Sequence, residues 1–209
     1  MSKIVVKCIL MICLLVLINL LEVSTGQCSS FTTDITEESL WISLDVSEQQ
    51  KKQIDAIISE SYSQVKKIQK KQGSNDLYDF NNLFILLQYT SKMNDIRKTT
   101  SDRIMQVLDV KQKPDFEKQL QQVQDASYKS TAMMLSLELT DTQKKIVVIS
   151  LLKTQKKIWE TIAKKSASWE EKRKKLNRIN KLQIISAKLS KEQRTRMAQW
   201  NIMFSSDAN

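Results

Sequence analysis

A short phrase that combines a hydroxyl, a glutamine and a cation occurs three times in this chain. The three copies are Val46-Ser47-Glu48-Gln49-Gln50-Lys51, Leu139-Thr140-Asp141-Thr142-Gln143-Lys144 and Leu189-Ser190-Lys191-Glu192-Gln193-Arg194. In a capping box, the hydroxyl accepts a hydrogen bond from a free amide in the first helical turn, and the glutamine three residues later bonds back to the N–H of the cap. The phrases therefore predict three helix starts, and the chemistry they offer is hydrogen bonding.

The residue types needed for catalysis and metal binding are scarce. The chain of 209 residues contains no histidine, which is the commonest metal ligand and the commonest general base. It also lacks a glycine-rich phosphate loop and an evident pair of nucleophile and base. We therefore expect no enzyme, no cofactor and no metal site.

The composition predicts the fold class. Only two glycines and one proline occur, so the turn residues that a β-rich fold requires are missing. Apolar residues recur at helical spacing, most densely between Ile146 and Ile162, in a helix expected to lie in the middle of the molecule. The sequence predicts an all-α bundle of long amphipathic helices.

Residues 1–26 have the pattern of a signal peptide. Two lysines precede an apolar run from Cys8 to Leu21, and small residues lead up to Gly26. The run is short for a membrane span. We expect cleavage after Gly26, a periplasmic location and no integral membrane span after processing, with a retained signal anchor as the alternative.

Cleavage would leave Cys28 as the one cysteine of the mature chain. An intramolecular disulfide is then impossible, and Cys28 is either a free thiol in a frayed terminus or part of a disulfide between two copies.

The exported part divides into three segments. Residues 27–45 look irregular apart from a short helix near Thr36 to Ile42. Residues 46–135 are expected to form a first helical unit, and residues 136–209 a second, strongly basic one.

The two units look related. Residues 42–52 and 135–145 match at an offset of 93 positions, with five of eleven residues identical. Because the match includes the approach to the cap as well as the cap, it favours an old tandem duplication and two related helical-hairpin units.

A fourth, weaker copy of the phrase is Leu108-Asp109-Val110-Lys111-Gln112-Lys113. Pro114 follows it, and proline lacks the N–H that a helix capped by Asp109 would need at that position. We therefore expect a helix that begins at Pro114 itself.

Positive charge is concentrated in the second unit. The whole chain carries 33 Lys+Arg against 23 Asp+Glu, and residues 140–200 carry 17 against 5. A basic helix predicted from Trp169 to Ile185 holds the densest run, although such a run is most often a solvated helix face. The candidate binding residues of this basic face are Lys172, Arg173, Lys174, Lys175, Arg178 and Lys181.

The repeated phrase resembles the signature of the LTxxQ-motif periplasmic proteins, the Spy/CpxP-like group. Leu139-Thr140-Asp141-Thr142-Gln143 matches it letter for letter, whereas the third copy has serine for threonine and the first departs at two positions. The motif residues, all expected at helix caps, are Val46, Ser47, Gln50, Leu139, Thr140, Gln143, Leu189, Ser190 and Gln193.

The resemblance implies a small curved bundle, often dimeric, with a concave, positively charged face that carries apolar patches. It implies an exported, ATP-independent chaperone-like protein that binds unfolded or aggregation-prone exported proteins. An envelope-stress accessory that regulates a sensor protein and a binder of anionic lipid or polysaccharide surfaces are the alternatives. A homodimer agrees with the family, and no nucleic acid is expected for an exported protein.

Two further features bear on client binding. A cation follows the glutamine in all three strong copies, where it opposes the helix dipole, which favours a role beyond helix stability. Methionines could supply adaptable contacts to clients, although core filling is the preferred interpretation for each one. They are Met93, Met133, Met134, Met197 and Met203.

Overall fold

The computed structural model describes residues 36–71, 83–179 and 181–206, with the backbone alone for residues 71, 83–84, 181–182 and 201–206. Within these residues the protein is an all-α bundle of eight helices without a strand, which confirms the predicted fold class. The helices are α1 (Glu37–Trp41), α2 (Glu48–Lys71), α3 (Leu83–Val107), α4 (Gln112–Ser136), α5 (Asp141–Ile162), α6 (Trp169–Leu176), α7 (Lys181–Ser186) and α8 (Lys191–Ser206).

The predicted signal peptide, its predicted cleavage point and Cys28 lie outside the described residues. Among the helices that are described, none combines the length and the apolar character needed to cross a bilayer.

The long helices α2 and α3 pack against each other along their lengths. Their facing sides carry fully buried apolar residues such as Ile54 on α2 and Ile104 on α3. A buried hydrogen bond of 2.7 Å, donated by the Thr100 hydroxyl to Ser61 Oγ, satisfies polar groups inside this contact.

The first helix lies at the centre of the molecule, although it has only five residues. Thr36 and Ser39 close a capping box at its start, which confirms the short helix predicted here. Helix α1 contacts α3, α4 and α5, and the Trp41 ring meets the Trp159 ring edge-on, with centroids 5.5 Å apart. One apolar core therefore runs from α1 through both predicted units.

The basic helix predicted from Trp169 to Ile185 is two helices, α6 and α7. Asn177 forms the C-cap of α6, and its N–H donates to the Arg173 carbonyl. Asparagine favours such ends because its side chain competes for backbone hydrogen bonds. The prediction of one continuous helix is therefore wrong.

Candidate functional site

The three repeated phrases form the capping boxes that the sequence predicts. The N–H of Ser47, Thr140 and Ser190 donates to the side-chain oxygen of the glutamine three residues later, at 2.9, 3.0 and 2.9 Å. The glutamine N–H returns to the cap hydroxyl at 3.3, 3.2 and 3.2 Å. The apolar residue before each cap is buried, so each phrase also anchors its helix to the core.

The fourth copy closes a capping box as well. The Asp109 N–H donates to Gln112 Oε1 at 3.0 Å, and the Gln112 N–H donates to Asp109 Oδ1 at 2.9 Å. Helix α4 begins at Gln112, so the predicted start at Pro114 is wrong. The proline removes only the bond to the carbonyl of Val110, a residue that is 83% exposed, where water can supply the missing donor.

The fourth copy matters because its glutamine pairs with the glutamine of the first copy. Gln50 Nε2 donates to the Val107 carbonyl at 3.1 Å and to Gln112 Oε1 at 2.8 Å. In return, Gln112 Nε2 donates to the Asp45 carbonyl at 2.9 Å and approaches Gln50 Oε1 at 3.5 Å. We call these two residues the first glutamine pair.

Gln143 and Gln193 form a second glutamine pair with the same pattern. Gln143 Nε2 donates to the Lys188 carbonyl at 3.2 Å and to Gln193 Oε1 at 2.8 Å. Gln193 Nε2 donates to the Leu137 carbonyl at 3.0 Å and to Gln143 Oε1 at 3.2 Å. The Leu137 carbonyl lies three residues before the cap residue Thr140, whereas the other three carbonyls lie two residues before theirs. The backbone accommodates the extra residue at Glu138, which has a positive φ of 49°.

The pairing explains why the phrase carries glutamine. A primary amide has two donors and two acceptor lone pairs, and each glutamine uses all four for its own cap and for the opposite phrase. A glutamate closes a capping box equally well, as Glu171 does with Ser168 at the start of α6, but it has no donor for the opposite side. The phrases thus join helix starts in pairs and leave no amide donor for a ligand.

The cation that follows the glutamine has a local explanation in two copies. Lys51 Nζ lies 2.6 Å from Glu48 Oε1, and Lys144 Nζ lies 3.1 Å from Asp141 Oδ1. Each lysine thus pairs with an acidic residue of its own first turn. For these copies, no role beyond helix stability is needed.

The candidate basic face on α6 is only partly exposed. Lys172 has a side chain that is 3% exposed, and its Nζ lies 2.8 Å from Asp55 Oδ1 of α2. Trp169 Nε1 donates to the other oxygen of the same carboxylate at 3.2 Å. The prediction that Lys172 lies on an exposed face is wrong, because the residue faces α2 and binds the two predicted units together.

The remaining residues of that run differ from one another. Arg173 is half-buried and donates to the Ile42 carbonyl at 3.2 Å, while Lys174 is exposed and pairs with Glu170 at 2.7 Å. Lys175 and Arg178 are exposed. The side chain of Lys181 lies outside the description. The run is therefore not one uniform cationic surface.

A second basic surface lies on α5, on the side that faces away from the core. Ile146 is 39% exposed, Ile149 is half-buried, and Lys153, Lys156 and Lys157 are exposed. At 3.6 residues per turn, these five side chains fall within roughly 100° of the helix circumference. We call them the outer face of α5. The exposed Glu160 falls within the same sector, so the surface carries three cations and one carboxylate.

The sequence did not point to this surface. The dense apolar run predicted a helix buried in the middle of the bundle, and α5 does bury Val147, Val148 and Leu151. Ile146, however, belongs to the exposed side. A helical-wheel projection with the three lysines marked would have separated the buried side of α5 from the exposed side.

Four of the five methionines considered for client contacts fill the core instead. Met93, Met133, Met134 and Met197 are at most 5% exposed, and the side chain of Met203 lies outside the description. Core filling, the preferred interpretation, is confirmed for these four.

Ionisable groups do not assemble into a metal centre in the part of the chain that the structure describes. No group of three or more cysteine, aspartate or glutamate side chains there has the geometry to hold an ion. The buried acidic group that stands out is Glu37, whose pKa is raised by burial.

Comparisons with known proteins give no relative for this chain. No protein-family model matches it, no curated protein matches it, and no solved structure matches it.

Proposed function

We propose that this protein is an exported, ATP-independent chaperone-like protein that binds unfolded or aggregation-prone proteins. The outer face of α5 is its candidate binding surface, and it replaces the α6 run that the sequence favoured. The observation that carries the proposal is the combination of Ile146 and Ile149 with exposed lysines on one side of one helix.

The physical basis is a two-step contact. Long-range attraction by a cationic surface speeds the capture of acidic unfolded chains. The exposed Ile146, the half-buried Ile149 and the apolar stems of lysine then hold hydrophobic segments loosely, while the charged heads of the lysines stay in water. A loose contact suits a protein that must accept many sequences and release them without ATP.

The repeated phrase gives the proposal its second support. Its resemblance to the LTxxQ-motif periplasmic proteins covers the caps of α2, α5 and α8, and the N-terminal pattern of a signal peptide agrees with export. These residues carry the scaffold, and the surface residues between them carry the binding.

The direct test is an aggregation assay with an unrelated protein that unfolds on heating or reduction. The full chain should suppress light scattering at a near-stoichiometric ratio without nucleotide. At high salt, suppression should weaken but persist in part, because screening removes the charge attraction and not the apolar contact. Absence of suppression at low salt and about tenfold excess, across the micromolar range of affinities, contradicts the proposal.

Binding to an anionic lipid or polysaccharide surface is a second candidate, and it is favoured by the excess of 17 basic over 5 acidic residues between positions 140 and 200. Such binding depends on charge alone, so added salt should abolish it. Sedimentation with vesicles that contain anionic lipid, at low and at high salt, separates it from client binding.

A further inference from the structure

Helix α1 fills a cleft that other helices form around it. It contacts α3, α4 and α5, and Leu40, Trp41 and Ile42 are at most 2% exposed. On its own, a helix of five residues is far too short to be stable in water. Its helical form therefore depends on the cleft.

Polar groups of α3 receive the acidic start of α1. Arg97 Nε lies 2.6 Å from Glu38 Oε1, with both side chains at most 4% exposed. The Ser101 hydroxyl donates to Glu37 Oε1 and accepts a hydrogen bond of 2.8 Å from Trp41 Nε1. The cleft thus recognises two carboxylates and an indole in a fixed order.

The same contacts make the docking of α1 reversible in principle. Burial of carboxylates is costly, and the attraction of a buried ion pair offsets that cost only in part. The link from α1 to the cap of α2 is short, and Ser43 and Asp45 within it are exposed. Rotation in this link would release α1 and break the bond of Arg173 to the Ile42 carbonyl, while the bond of Gln112 to the Asp45 carbonyl would hold the start of α2 in place.

We propose that the cleft between α3, α4 and α5 binds acidic peptide segments that contain leucine and tryptophan, and that α1 is its resident occupant. This inference rests on the proposed function and names a class of client: chain segments with two adjacent carboxylates followed by large apolar side chains. Helix α1 then acts as an internal competitor that keeps the cleft closed until such a segment replaces it.

A tethered occupant weakens the apparent affinity of every competitor. Its effective concentration is on the order of millimolar for a short link, and a free segment binds only the fraction of molecules in which α1 is released. A change that weakens the docking of α1 should therefore strengthen the binding of an added peptide.

The first experiment uses a fluorescent peptide with the sequence of residues 36–46 and the full-length chain. The variant Glu38→Gln removes the carboxylate that Arg97 Nε contacts in docked α1, so we expect it to bind the peptide about tenfold more tightly than the parent protein does. Glu60→Gln is the matched control, because it removes an exposed pair with Arg103 of the same chemistry. Equal binding by all three proteins, or no binding, overturns the inference.

Hydrogen exchange of the parent protein keeps the test independent of that variant. Within α1, the Leu40 amide donates to the Thr36 carbonyl, and just after α1 the Ser43 amide donates to the Leu40 carbonyl. We expect both to exchange about tenfold faster than buried amides of α3, through opening of α1 alone. Excess peptide should accelerate this exchange further. Exchange at the rate of α3 makes α1 a permanent part of the core and contradicts the inference.

The aggregation assay, run beside these measurements, separates the two proposals. Suppression of aggregation without peptide binding overturns the inference about the cleft and leaves the proposed function standing. Peptide binding without suppression supports the cleft and contradicts the proposed function.

Discussion

The ion pair of Lys172 on α6 and Asp55 on α2 joins two residues that are 117 positions apart in the chain. The two side chains are unequally buried: Lys172 is 3% exposed and Asp55 is 42% exposed. Loss of one partner should therefore have a different effect from loss of the other, because a charge left in the interior costs far more than a charge left in water.

Asp55→Asn should lower the free energy of unfolding by about 3 kcal/mol, because it leaves a buried cation without its counter-charge. Lys172→Met should cost less than about 1 kcal/mol, since the remaining carboxylate reaches solvent. Urea denaturation measures both, with Lys174→Met at the exposed pair as the control. Equal losses for the two variants would contradict the assigned burial.

Gln155 is the clearest unsatisfied polar residue among the described side chains. It is 1% exposed, and neither its amide oxygen nor its amide nitrogen has a hydrogen-bond partner. We expect Gln155→Met to raise the free energy of unfolding by about 1–3 kcal/mol, because it removes two buried groups without changing the volume much. Gln124→Met, at an exposed position of α4, should leave it nearly unchanged. A loss of stability at Gln155 would show that the amide has a partner such as a buried water.

For single residues, the sequence predicted the interactions that are made between near neighbours in the chain. The caps at Ser47, Thr140 and Ser190 follow from residues three positions apart, so the pattern contains all the information. The burial of Lys172 depends on a carboxylate in another helix, and no pattern within α6 reveals it. The exposure of Ile146 depends on which side of α5 meets the core.

The glutamine pairs fix the starts of four helices against one another. Each pair joins the starts of two helices, α2 with α4 and α5 with α8, through reciprocal bonds to side chain and main chain. A glutamate at the same position would keep the local capping box and lose the bonds across the pair.

Gln143→Glu should therefore lower the free energy of unfolding by about 1–2 kcal/mol, because it removes the N–H groups that donate to the Lys188 carbonyl and to Gln193 Oε1. Glu171→Gln is the matched control, since it alters the capping box of α6 in the opposite direction, and we expect a change within about 0.5 kcal/mol. Thermal and urea unfolding measure both. If the two substitutions have the same small effect, the pair contributes nothing beyond its caps.

The docking of α1 should depend on pH through Glu37. Burial, the main cause, raises the pKa of Glu37; Glu38 and Asp102 raise it further, while Ser101 and Arg97 lower it. Because the raised pKa belongs to the docked helix, docked α1 holds a proton more tightly than released α1. Docking therefore becomes tighter as the pH falls through the raised pKa toward the ordinary value of 4.5.

We expect the protection of the α1 amides against exchange, corrected for intrinsic rates, to rise as the pH falls toward the ordinary carboxyl value of 4.5. Glu37→Gln should abolish this dependence, because an amide does not titrate in that range. Protection that is flat in the parent protein, or equally steep in the variant, would contradict the role of Glu37.

Two helix boundaries show where the sequence could not decide between local rules. Pro114 opposes a helix capped by Asp109, yet the bonds of Gln112 to its own cap and to Gln50 outweigh one missing donor. The break after Leu176 was missed because apolar residues continue at helical spacing through Ile185, and periodicity alone cannot reveal a turn between two short helices.

In the described residues, one arrangement of helices occurs in two copies: a capped long helix, one or two following helices, and a second capped helix that pairs with the first. Sequence identity near Ser47 and Thr140 predicted the repeat, and the fourth copy at Asp109 completes its geometry. The single apolar core and the Lys172–Asp55 pair couple the two halves. The division into two separate units, residues 46–135 and 136–209, stays a prediction.

The central claim is that the outer face of α5 binds unfolded proteins. The most direct measurement compares Lys156→Glu/Lys157→Glu with Lys92→Glu/Lys98→Glu in the aggregation assay at low salt. Both variants have the same net charge, but only the first alters the outer face of α5, since Lys92 and Lys98 are exposed on α3. The account predicts that the α5 variant loses most of its suppression while the α3 variant keeps it. Equal suppression by the two variants would contradict the account.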